Sequence, residues 1–449
     1  MSQLQVLFNR AIEPLPAITD KSFATHFDIY ADRQLILLGD SSHGTSEFYH
    51  ARAEITKRYI KEHGFTMVAV EADWPDAEAI DRYVRMRVGP RAQIGGTANG
   101  FEPFKRFPTW MWRNREMQDL VEWMHDWNKD LPPSKRVGFY GLDLYSMGTS
   151  IQAVIDYLDG VDPEAGKEAR RRYGCLAQWT EDPTEYGLAS LRGLKDCESE
   201  VLMILRGLLE KRLQYIGEDP EGRDEYHSGS ENAYLVRDAE KYYRAMYWSE
   251  ASSWNLRDTH MFNTLLRLLQ HRPPPANKAI VWAHNSHVGD ARCTSMGIRR
   301  SEINIGQLCR EHFGRGNVAI IGCGTHTGTV AAAHEWDDDM HIMDVRPSRE
   351  DSWEIIAHDT GVPSFLLDLR RDHLDPILRA ALARESRLQR FIGVIYRPGT
   401  ERASHYSHAI LHMQFDGYVW FDKTEAVRPL EIIQPKTALG KEETYPFGL

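Results

Sequence analysis

Cysteine is scarce: five residues, Cys175, Cys197, Cys293, Cys309 and Cys323, form an odd, scattered set without a C-x-x-C pair. That set offers no zinc–thiolate site and fits a reducing cytoplasm. Positive charge is in deficit too. A net charge of −11 leaves no basic stripe for a nucleic-acid partner, and the short run Arg170 to Arg172 reads as a solvated helix face. No apolar run approaches the roughly 20 residues that span a bilayer. The opening Met-Ser-Gln-Leu-Gln-Val lacks the layout of a signal peptide, so a cytoplasmic protein without a membrane partner is expected. Repeats and low-complexity segments are also missing, as are the G-x-S-x-G elbow of serine hydrolases and the HExxH zinc motif.

Against these absences, 449 residues of ordinary globular composition can bury a large core. The chain is organised around Leu35-Ile-Leu-Leu-Gly-Asp-Ser-Ser-His-Gly-Thr-Ser-Glu-Phe48. Four apolar residues predict a buried strand, and the glycine-bounded turn carries Asp40 and His43. Thr45 or Ser46 then caps a helix whose apolar face carries Phe48, Ala51, Ile55 and Tyr59. Arg52 lies on that face. Helical side chains tilt toward the N-terminus, so Arg52 points back at Asp40 and His43, and a buried charge wants a partner.

Residues 1–34 read as a mostly helical lead-in with a turn at Ile12 to Pro16. Gly64 closes the first long helix. Met67 to Val70 is a second strand ending in Glu71-Ala-Asp73, with Asp73 as a turn former before Trp74-Pro75. A loop from Gly89 to Pro108 leads to Trp110-Met-Trp-Arg-Asn114 and a helix ending near Trp127. Val137 to Asp143 is a third strand that finishes on a carboxylate. From Ser150 to about His271 strand signals vanish, and three or four helices are expected as an insertion over the core, closed by Arg272-Pro-Pro-Pro275. Strands resume at Ala279 to His284, Val318 to His326, Ser364 to Asp368 and Phe391 to Tyr396, and Asp416-Gly417 signals a terminal hairpin.

Strands alternating with helices predict an α/β fold: a mostly parallel central sheet with a mixed edge, flanked by helices, and a large helical insertion forming a second lobe over the cleft. Residues 1–149 and 276–449 would form one discontinuous catalytic core, with residues 150–275 as the cap. Ligands of such sheets sit outside the carboxyl ends of the strands. That rim would gather Asp40, His43, Glu71, Asp73, Asp143, His284, His287 and His326.

Taken singly, a strand-end carboxylate caps a helix and a lone histidine is a hydrogen-bonded structural residue. Together they equip a site for activating water at a carbonyl. Imidazole titrates near pH ~6.5, which makes His43 the candidate general base. Glu71 or Asp40 would orient it, and His284, His287 and Arg52 would hold the oxyanion. Ser41 and Ser42 flank the histidine but lack an elbow. His43, His284, His287 and Glu71 also form a mixed nitrogen and oxygen set that a metal could use.

Five motifs together resemble the erythromycin esterase family: Gly39-Asp-Ser-Ser-His-Gly-Thr-Ser-Glu-Phe48, Val70-Glu-Ala-Asp-Trp-Pro-Asp76, Phe107-Pro-Thr-Trp-Met-Trp-Arg-Asn114, Asn255-Leu-Arg-Asp-Thr-His-Met261 and Trp282-Ala-His-Asn-Ser-His287. Asn304-Ile-Gly-Gln307 adds to them, and the resemblance spans about residues 30–420. It implies an α/β core with helical additions and metal-independent hydrolysis of a macrolactone ester by water, a reaction of antibiotic resistance when the lactone is a macrolide. The key histidine of the family matches His43, its motif arginine and glutamate match Arg52 and Glu71, and its second histidine pair matches His284 and His287. One position departs: where the family turn usually carries glutamate this chain has Asp40, shorter by one methylene, roughly 1.5 Å.

The expectation is thus a cofactor-free, metal-free esterase acting on a small-molecule ester or lactone. Asp143, Arg257, Trp110 and Trp254 would contact the substrate, and Trp112 and Trp179 would add apolar wall. A metal-dependent hydrolase on the same rim and a non-catalytic binding or biosynthesis-associated homologue are the alternatives.

Overall fold

The opening strand alternates between two cores. Leu35 and Leu37 face one side of a sheet and Ile36 and Leu38 the other, all buried. The same period-two split recurs in Met67 and Ala69 against Val68 and Val70, and in Val281 against Ile280 and Trp282. Strands buried on both faces read as continuous apolar runs, the signature of a parallel sheet covered by helices. The computed structural model describes residues 3–430 apart from 88–102, 181, 194–195, 217–219, 248–249, 273 and 275. Most of the expected loop from Gly89, and Pro273 and Pro275 of the expected break, lie outside the described residues.

In chain order the strands are β1 (Ile12–Pro14), β2 (Leu35–Asp40), β3 (Met67–Asp73), β4 (Gly138–Asp143), β5 (Ala279–His284), β6 (Val318–Ala332), β7 (His341–Val345), β8 (Ser364–Asp368), β9 (Arg387–Arg390), β10 (Tyr406–Ala409) and β11 (Gly417–Thr424). Nine form one mixed sheet in the order β1-β8-β11-β6-β2-β5-β3-β4, with β7 on the far end of β6, while β9 and β10 form a separate antiparallel ribbon. From β11 to β4 all neighbours run parallel, and β8 is antiparallel to β11 and β1. The register sets the site: Asp40 pairs with His284, Asp73 with Asp143, and Val70 with Trp282. The ionisable strand ends therefore share one rim.

Three local expectations fail. Ile12 to Pro14 forms an edge strand on β8, since its backbone finds partners there. Leu411–Gln414 is a helical turn, so no hairpin forms: Asp416 accepts from the Ile320 amide at 2.9 Å and Arg310 at 2.8 Å, and Gly417 starts a strand between β6 and β8. Phe391 to Tyr396 is not a sheet strand. It crosses the rim, bridging Ser42 through Ile392 and Ala333 through Ile395, and that crossing buries its apolar side chains.

Between β4 and β5 lie seven described helices, Met147–Val161, Pro163–Ala177, Pro183–Leu191, Glu198–Glu210, Arg212–Tyr215, Pro220–Ala245 and Glu250–His271, where three or four were expected. Their apolar faces join Leu35, Ala69 and Val281 in one continuous core. A disulfide joins Cys175 to Cys197. The scattered cysteines thus include a pair that spacing did not reveal, and they carry no indication of a reducing compartment. Among the described residues no helix is long and apolar enough to cross a membrane.

The turn after β2 is pinned from several sides. Gly64 ends the following helix, Ser46–His63, in a left-handed conformation (φ 69°) that glycine adopts without strain. Gly44 meets the β6 backbone: its carbonyl accepts from the Ala331 and Val427 amides at 3.0 and 2.9 Å. A Cβ at Gly44 would overlap the Ala331 carbonyl. Gly44→Ala is therefore expected to lower stability by about 1–3 kcal/mol, and a urea midpoint equal to wild type would show that the approach is looser than described.

Candidate active site

His43 follows β2 within the pinned turn. Its amide donates to Ile392 O at 3.3 Å, and its carbonyl accepts from the Tyr49 hydroxyl at 2.9 Å. The imidazole is held between two carboxylates. Nδ1 lies 3.4 Å from Asp40 Oδ1, and Nε2 lies 3.9 Å from Glu71 Oε1. The Asp40 distance exceeds an ordinary N–H···O bond, as the short side chain at that position predicts, and neither atom has another partner. Asp40 Oδ2 accepts from Arg52 Nη1 at 2.6 Å, and the Arg52 guanidinium lies 4.7 Å from both the Tyr49 and Trp282 rings. Burial favours the neutral acid at Asp40, but Arg52 and His43 outweigh it and hold its pKa below the usual range.

Glu71 is the hub of the opposite side. Oε1 accepts from Arg257 Nη2 at 2.7 Å and lies 3.2 Å from His287 Nε2, while Oε2 accepts from the His284 amide at 2.8 Å. Burial alone would raise its pKa, but His287, His43 and Arg257 keep it well below the carboxylate norm. Glu71 is a fixed anion. Arg257, on helix Glu250–His271, also grips Asp143 in bidentate fashion, with Nε to Oδ1 at 3.0 Å and Nη2 to Oδ2 at 2.6 Å.

The two later histidines differ in electrostatics. His284 is buried, and burial reinforced by His43 outweighs Asp40 and Glu71 and depresses its pKa to about 3, so the ring is neutral. Its Nδ1 lies 2.7 Å from Ser286 Oγ and 3.4 Å from the Ser286 amide, and its Nε2 is buried beside His43, 4.9 Å from ring to ring, without a hydrogen-bond partner among the described residues. His287 sits between Asp258, 2.9 Å from Nδ1, and Glu71. Burial and Arg257 oppose its charge, but the two carboxylates win and raise its pKa to about 9.

Several of these groups line a cleft that encloses about 850 Å³ of space including its open mouth. Its polar floor holds His43, Glu71, Asp143, Arg257, His284 and His287, and its walls include Phe104, Phe107, Trp112, Trp254 and Trp336. Among the described residues, no three His, Cys, Asp or Glu side chains converge as metal ligands. The carboxylate oxygens and ring nitrogens that such a set would offer are largely engaged with each other and with Arg257.

The profile of the erythromycin esterase family matches residues 60–424. The chain belongs to that family. A curated relative, erythromycin esterase type II of Escherichia coli, is 23% identical over 291 residues, covering 60% of this chain and 66%, just under two thirds, of that protein. Three solved structures share the fold. A Bacillus cereus protein matches with TM-score 0.77 at 18% identity, covering 96% of this chain and 99% of that one. A succinoglycan biosynthesis protein matches with TM-score 0.74 at 20% identity (95% and 97%). A mutant of the erythromycin esterase EreC in its open conformation matches with TM-score 0.66 at 14% identity (94% and 99%). The profile match starts beyond Asp40, His43 and Arg52, so their roles rest on geometry.

Some sequence expectations for this family member need correcting. Arg52 does not line the cleft; it lies behind Asp40, stacked on aromatic rings, and cannot hold a substrate carbonyl. Trp110 is fully buried beside Phe107, and Trp112, two positions on, takes the wall, its Nε1 donating to Glu71 O at 3.2 Å. Trp179 packs within the helical insertion, and His326 stacks on His358 at 3.6 Å, away from the rim cluster. Asp73 is more than a turn former. It lines the cleft, accepts from the Tyr145 amide at 2.6 Å and pairs with Arg106; burial, opposed by Arg106 and helped by Asp143 and Asp76, pushes its pKa up to about 6. Asp258 had no assigned role, although it adjoins Arg257 in the Asn255 to Met261 motif, and that adjacency was the available signal.

Removing the central cation strands buried carboxylates. Arg257→Met is expected to cost about 3–5 kcal/mol, and adding Asp143→Asn should recover part of it in urea denaturation; equal stability of wild type and Arg257→Met would refute the network. The pH dependence has a defined sign. Because His287 titrates higher folded than unfolded, its contribution is full below the unfolded value near ~6.5 and is lost as pH rises through about 9. His287→Asn should flatten the stability profile in that window, and an unchanged alkaline slope would contradict the pairing.

Proposed function

We propose that the protein hydrolyses a carboxylic ester or lactone with a water activated by His43. The observation that carries this reading is the placement of His43 Nε2, open to the cleft and 3.9 Å from Glu71 Oε1, while Nδ1 faces Asp40. A water at ordinary hydrogen-bonding distance from both Nε2 and Oε1 satisfies that geometry. His43 takes its proton as the oxygen attacks the carbonyl carbon. Carbonyl electrons move onto oxygen, whose charge the cationic His287 and Arg257 of the cleft floor stabilise. The intermediate collapses, the C–O bond breaks, and the proton passes from His43 to the departing alkoxide.

Charge balance supports the same assignment. Around His43, the carboxylates Asp40, Glu71, Asp143 and Asp258 outnumber the cations Arg52, Arg257 and His287 by one, so a proton on His43 neutralises the cluster. Glu71 acts as a fixed anion that orients water and imidazolium. Asp143 and Arg257 set the position of Glu71, and Trp254, stacked on His287 at 4.5 Å, carries the wall above it. The apolar walls suit a bulky lactone. With the family membership, this makes a macrolide the first substrate to try, and a cytoplasmic role in antibiotic resistance would follow from its hydrolysis.

The decisive experiment is a panel of macrolides and simple lactones in isotope-labelled water, read by mass spectrometry. One labelled oxygen in the product acid is expected. No turnover across the panel would leave a binding protein, the reading to which this one would yield. His43→Gln should lower kcat by roughly 100-fold or more without unfolding the chain; an equal rate would remove His43 from the chemistry. Dialysis against a chelator should leave activity intact, and loss restored by zinc or manganese would favour the metal-dependent alternative.

A further inference from the structure

The opposite rim of the sheet carries a second cavity. Arg136 precedes β4 and Ala276 precedes β5, so it opens at the N-terminal ends of the parallel strands, near the last residues of helices Trp74–Val84 and Glu250–His271. It shares no lining residue with the His43 cleft. Among the described residues, seven arginines line it against two carboxylates, Asp224 and Glu231, in a chain whose net charge is −11. That local excess sets it apart from the rest of the molecule.

Some of these cations are compensated. Arg85 pairs with Asp81 and Asp224, Arg87 with Asp81 and Glu225, and Arg267 with Glu231. Arg272 is different. It is 7% exposed, its Nη2 donates to the Tyr140 hydroxyl at 3.0 Å, and its Nε is buried without a partner among the described residues. Half-buried Arg136 donates to the Leu131 and Arg85 carbonyls at 3.1 and 2.6 Å and forms no ion pair with a described carboxylate. A buried guanidinium without a counter-charge is costly. Among the described residues neither Arg272 nor Arg136 has a carboxylate partner, and a phosphoryl group supplies acceptor oxygens and negative charge in the geometry that a planar guanidinium fork fits. Tyr226, Tyr234 and the stacked rings of His227 and His271, 4.1 Å apart, offer flat surfaces for an organic moiety.

We propose that this cavity binds a phosphorylated small molecule, its phosphoryl group held by Arg272 and Arg136. The test is calorimetric titration of the full chain at fixed ionic strength with pyrophosphate, inorganic phosphate and citrate. Pyrophosphate should bind saturably at one site per chain, with phosphate and citrate weaker by about tenfold or more. Arg272→Gln should weaken pyrophosphate by about tenfold, with an unchanged circular dichroism spectrum. Arg136→Gln, at a half-buried position and checked by the same spectrum, should weaken it several-fold and decides the matter if the Arg272 variant does not fold. Absence of saturable binding, citrate binding as tightly as pyrophosphate, or undiminished binding by Arg136→Gln would each overturn the proposal.

Discussion

The guanidinium of Arg257 is the interaction on which the cleft depends. A parallel sheet whose strands end in carboxylates brings Glu71 and Asp143 to adjacent positions on one rim, where burial makes their mutual repulsion expensive. Strand sequences alone supply no cation there. Arg257 comes from the last long helix of the insertion and reaches both carboxylates at 2.6–2.7 Å. One ion network therefore places the acidic rim, docks that helix and closes one side of the cleft.

Within that frame, two histidines three residues apart take opposite electrostatic states. His284 ends β5, where its amide serves Glu71 and its ring hydrogen-bonds with Ser286 and packs against His43 and Phe391. His287 lies on the short helix Asn285–Val288, pointed at Asp258 and Glu71. The same side chain is thus neutral in one place and a cation in the other, because carboxylates contact the ring nitrogens only of the second. His43 stands between them and the Asp40–Arg52 pair, with its second nitrogen open to the cleft. The division of labour follows from neighbours, not from residue type.

Charged side chains gather at both rims of the sheet. At the carboxyl ends, acids around His43 outnumber the cations that reach them; at the amino ends, the lining arginines outnumber the lining acids. The two cavities are opposite in their charge surplus and separated by the β2 to β5 core. The continuous apolar core beneath the insertion ties its helices to the sheet.

Local pattern made much of this legible. The period-two and helical spacings predicted the central strands, the helix at Ser46–His63 and its stop at Gly64, and the tilt of helical side chains aimed Arg52 at Asp40. Such features depend on neighbours a few residues away, so sequence by itself determined an α/β sheet with a charged rim around His43. Tertiary structure alone decided the partners. Arg257 meets Asp143 and Glu71 across 114 and 186 positions, Trp112 displaces Trp110 from the cleft, and the run Phe391 to Tyr396 crosses the rim instead of joining the sheet. No spacing encodes these outcomes, because each is settled by which distant surface arrives within hydrogen-bonding reach, a distance of about 3 Å, once the strands have taken their order.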